Sequence, residues 1–310
     1  MQQGLIIFYL LHIDKAPKKW EYCIHVDMVF HKYRGGAEMA MIEVTWQPSK
    51  FWLAGRPLTG FYAFLLTIAS FVVRGEDALW GVPILAGVVF WGLTMSIMLF
   101  NDWVDREHDL KKGKSFANEH ADELIRYWVR LSSVTAMALV VLSWYSVPVA
   151  SLCAMVWIVG VLYSYIPHWY LVQNIIVALC SGAPALVGSC YRGDITHEAL
   201  VIFALFFSLI LIREVYKDIE DAEIDAGYKA TMPVRLGHTL TAHRLLGMYF
   251  FPALCVAVHP NPWITGVGGL GLAVLMFKYS ELLGDPKKVV ASKATMNLIL
   301  MALLLALLFT

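Results

Sequence analysis

Two sets of hard oxygen donors dominate the chemistry this chain can do. Asn101, Asp102, Asp105 and Asp109 form the first, and Glu214, Asp218, Asp221 and Asp225 the second, each at the end of a long apolar stretch. Within each set the aspartates are three and then four residues apart, a spacing that puts them on one face of a helix. Negative charge so close to hydrocarbon is costly unless a cation neutralises it. Acidic ladders built only of oxygen ligands select Mg2+ or Mn2+ over zinc. The expected ligands are therefore Asp102, Asp105 and Asp109 with Asp218, Asp221 and Asp225. Divalent ions between two acidic helices would suit a diphosphate, because they spread the charge that develops on the leaving oxygens as a carbon–oxygen bond ionises.

Nearby cations are the natural remaining phosphate contacts, with Lys112, Lys114, Arg126 and Lys217 foremost and Arg213 and Lys229 also in reach. Arginine can grip a phosphate with two parallel hydrogen bonds, whereas lysine acts as a point charge. Asn101 would orient the diphosphate or a metal-bound water. A lone histidine in such a sequence is more often a bystander, and His108 and His168 are read that way.

The elements that must position these residues are membrane helices. Of 310 residues 59% are hydrophobic and 15% charged, with a formal net charge of zero, against roughly 25% charged in an average soluble domain. That balance excludes a nucleic-acid-binding protein and describes an integral membrane protein. Apolar segments at 58–73, 79–100, 131–147, 149–166, 171–190, 199–213, 245–258, 263–279 and 294–309 give about nine crossings of ~30 Å of hydrocarbon. Loops on one side hold Arg106, Lys111, Lys112, Lys114, Arg126 and Arg130, then Lys217, Lys229, Arg235 and Arg244, then Lys287, Lys288 and Lys293, while the other side offers Arg74 and Arg192. By the positive-inside rule both ladders face the cytoplasm. Residues 1–49 read as an N-terminal extension outside the fold and 50–310 as the membrane domain. The five cysteines are scattered without metal spacing and read as core filler.

These residues resemble the UbiA superfamily of intramembrane prenyltransferases. Its NDxxDxxxD signature is matched by Asn101, Asp102, Asp105 and Asp109, and its second acidic helix end by Asp218, Asp221 and Asp225. The segment "REVYKDIEDAEIDAGYKATMPVRLG" from Arg213 to Gly237 is similar to the digeranylgeranylglyceryl phosphate synthase subgroup, which makes archaeal ether lipids. Arg56-Pro57, Tyr163-Ser164, Asn174 and Gly182-Ala183-Pro184 also stand where the family has similar residues. The family usually follows its first signature with an N-x-x-RPxRP segment; "LKKGKSFANEH" contains neither arginine nor proline, and its lysines are the available replacement.

The resemblance implies an all-α bundle around a central cavity with a cytosolic cap. It also implies Mg2+-dependent transfer of an isoprenoid chain from an allylic prenyl diphosphate to a lipidic or small acceptor, with release of pyrophosphate. Asp102, Asp105, Asp218 and Tyr163 would carry the chemistry, Tyr163 by facing an allylic cation. Asn101, Lys112, Lys114, Arg126, Lys217 and Asn174 would hold the diphosphate. Trp157, Tyr165, Trp169 and Tyr170 crowd the same region. Two rivals fit the same residues: a terpene cyclase on this scaffold, needing no acceptor, and a divalent-cation transporter. A transporter would place ionisable groups near the bilayer midplane, whereas the central parts of most apolar segments here have none.

Overall fold

In a computed structural model the described residues are 6–15, 22–31, 41–46, 50–75, 81–113, 115–166, 169–284 and 289–309. Lys114 and His168 lie outside them. The chain divides into two compact units, 1–54 and 55–310. The first contains an antiparallel sheet of β1 (Ile6–Lys15), β2 (Tyr22–His31) and β3 (Met41–Trp46), in which His12 lies opposite His25 and Val26 opposite Val44. The short helix α1 (Lys50–Ala54) follows. Sequence reading assigned no secondary structure to this sheet.

The second unit is helical. In chain order it comprises α2 (Pro57–Val73), α3 (Gly81–Val104), α4 (Arg106–Lys111), α5 (Phe116–Glu119), α6 (Ala121–Tyr145) and α7 (Val147–Leu162). The helices α8 (Val172–Gly182), α9 (Val187–Arg192), α10 (His197–Asp225), α11 (Met232–Met248), α12 (Phe250–Val258), α13 (Pro262–Gly284) and α14 (Val289–Leu308) complete it. Two short strands, β4 (Trp169–Tyr170) and β5 (Ala230–Thr231), pair in parallel.

Each apolar segment of the sequence coincides with helix. Six helical stretches among the described residues are long and apolar enough to cross a membrane: 81–104, 121–145, 147–165, 172–192, 197–225 and 232–258. Two shorter apolar helices, 57–73 and 292–308, accompany them. The protein is an integral membrane bundle, and many large apolar side chains, such as Trp144 and Phe277, face outward, as lipid contact requires.

Local sequence explains the boundaries. Proline stands in the first turn of α2, α7 and α11, where its missing N–H costs nothing. Ser146 and Thr196 cap α7 and α10 by accepting from Val149 N and Ala199 N at 3.4 and 3.3 Å. Gly237, with φ of 76°, breaks α11 between its first and later turns.

Two buried layers fill the bundle. Phe206, Leu209, Ile212 and Tyr216 of α10 pack with Leu66 of α2 and Leu303 of α14, while Val89, Phe90 and Leu93 of α3 pack with Leu142, Val149 and Cys153. Gly188 lets α9 approach α2 closely: a Cβ there would sit 2.2 Å from the Ser70 carbonyl oxygen, and Gly188 N donates to Ser70 Oγ at 3.0 Å. Because the helices alternate in direction, the C-terminal ends of α3, α7 and α10 and the N-terminal ends of α2, α8 and α11 gather at one end. Contacts described next confirm that placement.

Candidate active site

The first ladder spans two helices. Asn101 and Asp102 occupy the last turn of α3, Asp105 caps α4 with φ −82° and ψ 2°, and Asp109 lies within α4. Helical register nevertheless continues, since Asp105 N donates to Asn101 O at 2.8 Å and Asp109 N to Asp105 O at 2.9 Å. The second ladder lies on α10 without a break.

The structure gives the acids partners that spacing alone did not reveal. Arg56, just before α2, donates through Nη2 to Asp102 Oδ1 at 2.7 Å and through Nη1 to Met98 Sδ at 3.2 Å. Its φ is 52°, one of two non-glycine residues with positive φ among those described. Asn101 Nδ2 donates to Asp105 Oδ2 at 3.3 Å, and Ser164 Oγ to Asn101 Oδ1 at 3.5 Å. Asn174, buried at the start of α8, donates to Asp218 Oδ2 at 2.8 Å. Burial raises the Asp105 carboxyl above the usual carboxylate range, more than nearby Lys229 lowers it.

Lys112 joins the two ladders. Its Nζ donates to Asp221 Oδ2 at 2.6 Å and stands 3.0 Å from Asp225 Oδ1. Burial alone would lower its pKa, but the hydrogen bonds and charges of these two carboxylates outweigh that and raise it. Asp225 also accepts from His108 Nε2 at 2.8 Å, and Lys229 Nζ stands 3.9 Å away. Burial lowers the Lys229 pKa.

Other expected contacts fall elsewhere. Lys217 is exposed and reaches Glu214 at 3.8 Å. Arg213 pairs with Glu214 and donates through Nε to Asn297 at 2.8 Å. Arg126 is exposed on α6. Arg56 was noted in the sequence only by resemblance, with no role, and His108 was read as a bystander, yet both meet ladder acids. The arginine's signal was its place before Pro57 at the mouth of an apolar helix; the histidine lies off the ladder's face, so periodicity had nothing to mark.

Beside the first ladder opens a mostly apolar cavity of ≈ 50 Å³, lined among others by Thr59, Tyr62, Met98, Gly160, Tyr163 and Cys180. Met98 connects it to the ladder through Arg56. Of the five aromatic residues near the end of α7, Tyr163 lines this cavity. Trp157 instead donates to Ser96 at 3.3 Å, Tyr165 packs edge-on against Phe100, Arg235 lies over Trp169, and Tyr170 pairs with Arg244.

Among the described residues no three His, Cys, Asp or Glu side chains converge as a metal site. The donor set still suits a hard cation, for Asp102, Asp105, Asp218 and Asp221 offer oxygen alone. Their charge is met here by Arg56 and Lys112, with the Asn174 amide donating to Asp218.

An all-α membrane bundle with two acidic ladders meeting at one end, beside an apolar cavity, defines a class of intramembrane enzymes that handle a charged head on a hydrocarbon tail. Residues 62–305 match the model of the UbiA prenyltransferase family, and the chain belongs to that family. A digeranylgeranylglyceryl phosphate synthase of Natronomonas pharaonis is 29% identical over 146 residues, covering 46% of this chain and 50% of that one. The chain thus spans about half the length of that relative. A solved structure described as giving insight into digeranylgeranylglyceryl phosphate synthase in membranes superposes with a TM-score of 0.63 at 17% identity, over 84% of this chain and 96% of the other. A UbiA homologue from Archaeoglobus fulgidus bound to DMAPP and Mg2+ superposes with a TM-score of 0.61 at 16% identity, over 84% and 100%. At these identities the superpositions establish shared fold.

Proposed function

We propose that this protein transfers a prenyl chain from an allylic prenyl diphosphate to the hydroxyl of a polyprenylglyceryl phosphate lipid, at the cytoplasmic face, and requires Mg2+. One observation carries the reading: the ladders meet at one end of the bundle beside an apolar cavity, so diphosphate and hydrocarbon each find a fitting environment. The acceptor class is supported by the name of the Natronomonas relative and by the ether-lipid character of the segment from Arg213 to Gly237.

Asp102, Asp105 and Asp109 with Asp218, Asp221 and Asp225 would hold Mg2+, which would supply charge neutralisation of the leaving diphosphate. Asn101, tied to Asp105 and Ser164, keeps an amide at the head of the site. Asn174 fixes Asp218 so that its second oxygen keeps its direction. Arg56 and Lys112, freed from carboxylates when another cation arrives, would turn to phosphate oxygens, and exposed Lys217 would join them. Lys114 and Arg126 are the further cations expected to add positive charge.

The allylic C1–O bond breaks, and its electron pair leaves with pyrophosphate. Tyr163, at the cavity wall, faces the cation with a ring worth roughly 0.5–2 kcal/mol. The acceptor hydroxyl oxygen then bonds to C1 and gives up its proton to the departing pyrophosphate, while the apolar wall excludes water.

The test is pyrophosphate release by detergent-purified protein given geranylgeranyl or farnesyl diphosphate and Mg2+, with and without geranylgeranylglyceryl phosphate, followed by mass analysis. A prenylated lipid formed with acceptor supports the reading. A cyclic product from donor alone would make the protein a terpene cyclase, and absence of release with every donor would refute ionisation chemistry.

A further inference from the structure

Tyr62 of α2 carries a hydroxyl that neither ladder uses. The residue lines the cavity, with its ring tilted against Phe206 of α10 and the centroids 6.0 Å apart. Its hydroxyl oxygen is buried without a hydrogen-bond partner, and among the described residues no other cavity-lining side chain has such an atom. Neighbouring polar groups on the wall are committed elsewhere: Thr94 Oγ1 donates to Phe90 O at 2.8 Å, and Cys180 Sγ lies 3.9 Å from Val156 O. Arg213, the charged group that acts on this hydroxyl, is bound to Glu214 and Asn297. A buried hydroxyl left alone is destabilising, and a bound group that completes it removes the penalty. Tyr62 lies ~8 Å along α2 from Pro57, and helical side chains lean toward the N-terminus of their helix, which here is the ladder end. That level is the border between the charged head of a prenyl diphosphate and its hydrocarbon tail. The head belongs to the ladders and the tail has no polar atom, whereas an alcohol both donates and accepts.

We propose that Tyr62 holds the alcohol group of the acceptor, an assignment that rests on the prenyl-transfer reading. Its O–H donates to the acceptor's hydroxyl oxygen, which leaves one lone pair of that oxygen for C1 and directs its hydrogen to the departing pyrophosphate. Tyr62 itself neither gains nor loses a proton. Tyr163 meets the donor cation with its ring and Tyr62 meets the nucleophile with its hydroxyl, so two tyrosines of one cavity divide the two substrates between them. A prenylglyceryl phosphate with a free hydroxyl is thereby selected over the same lipid without one.

Equilibrium binding and turnover test this on detergent-purified full-length protein with Mg2+. The variant is Tyr62→Phe, which keeps the ring. The probes are geranylgeranylglyceryl phosphate and its deoxy analogue, in which hydrogen replaces the hydroxyl. The parent protein should bind the alcohol about tenfold more tightly than the deoxy lipid, and Tyr62→Phe should bind the two alike. In turnover with geranylgeranyl diphosphate, KM for the acceptor should rise about tenfold in the variant, while KM for the donor and the Mg2+ dependence stay at their parental values. The thermal midpoint should not fall, because the lost hydroxyl bonds to nothing within the protein; a structural role would lower it. Retention of the parental preference for the alcohol in Tyr62→Phe would overturn the proposal. So would a rise in donor KM with acceptor KM unchanged, or a parent protein indifferent to the hydroxyl. A parent protein that discriminates between the two lipids and yet forms no prenylated product would refute the prenyl-transfer reading and leave the Tyr62 contact standing.

Discussion

The two ladders share their spacing and differ in their support. The second runs along α10, a single 29-residue helix whose apolar part is buried against α2, α14 and other helices. The first crosses from α3 to α4 at Asp105 and is held by side chains from elsewhere, Arg56 ahead of α2 and Ser164 after α7. Spacing fixes which face carboxylates share; it does not fix whether the helix under them is continuous. The continuous ladder takes its geometry from one helix, whereas the interrupted one leans on partners from other helices.

The strongest challenge to that comparison is removal of one acid from each side. Asp102→Ala and Asp218→Ala should each lower metal-dependent pyrophosphate release by about 10²–10³-fold, and an effect confined to one of them would show that a single ladder suffices. Asn174→Leu sharpens the contrast next: with the amide that donates to Asp218 gone, Mn2+ affinity should fall about 10-fold or more, as titration followed by electron paramagnetic resonance would show. Ser164→Ala removes a longer contact to the bent ladder, and a loss of no more than about tenfold in kcat/KM is expected. Last comes Glu220→Ala, on the half-exposed side of α10, where the pair with Lys293 at 2.6 Å is lost. Thermal unfolding should register less than about 1 kcal/mol and turnover none.

How much of this was legible in sequence depends on the range of the interaction. Apolar runs such as 79–100 and 199–213 marked helices directly, because hydrocarbon demands that every backbone group be paired within the segment. The ladders were visible because a 3+4 spacing is local. Partners were not: Asp102 meets Arg56 from 46 residues away, Asp218 meets Asn174 from 44, and Asp225 meets His108 from 117. Asn174 was flagged only through family resemblance, and Lys112 was expected on phosphate rather than between Asp221 and Asp225. Tyr163 was singled out from Trp157, Tyr165, Trp169 and Tyr170 only through family resemblance, and it lines the cavity. Nor did patterning indicate a sheet at Ile6–Lys15 and Tyr22–His31, where apolar residues alternate irregularly.

Arg56 has one further consequence. A left-handed arginine costs about 1–2 kcal/mol relative to an ordinary backbone conformation, and the hydrogen bond to Asp102 is what offsets that cost at this position. Arg56 thereby ties the root of α2, the helix that contributes Thr59, Tyr62 and Ala63 to the cavity wall, to the water-facing end of α3.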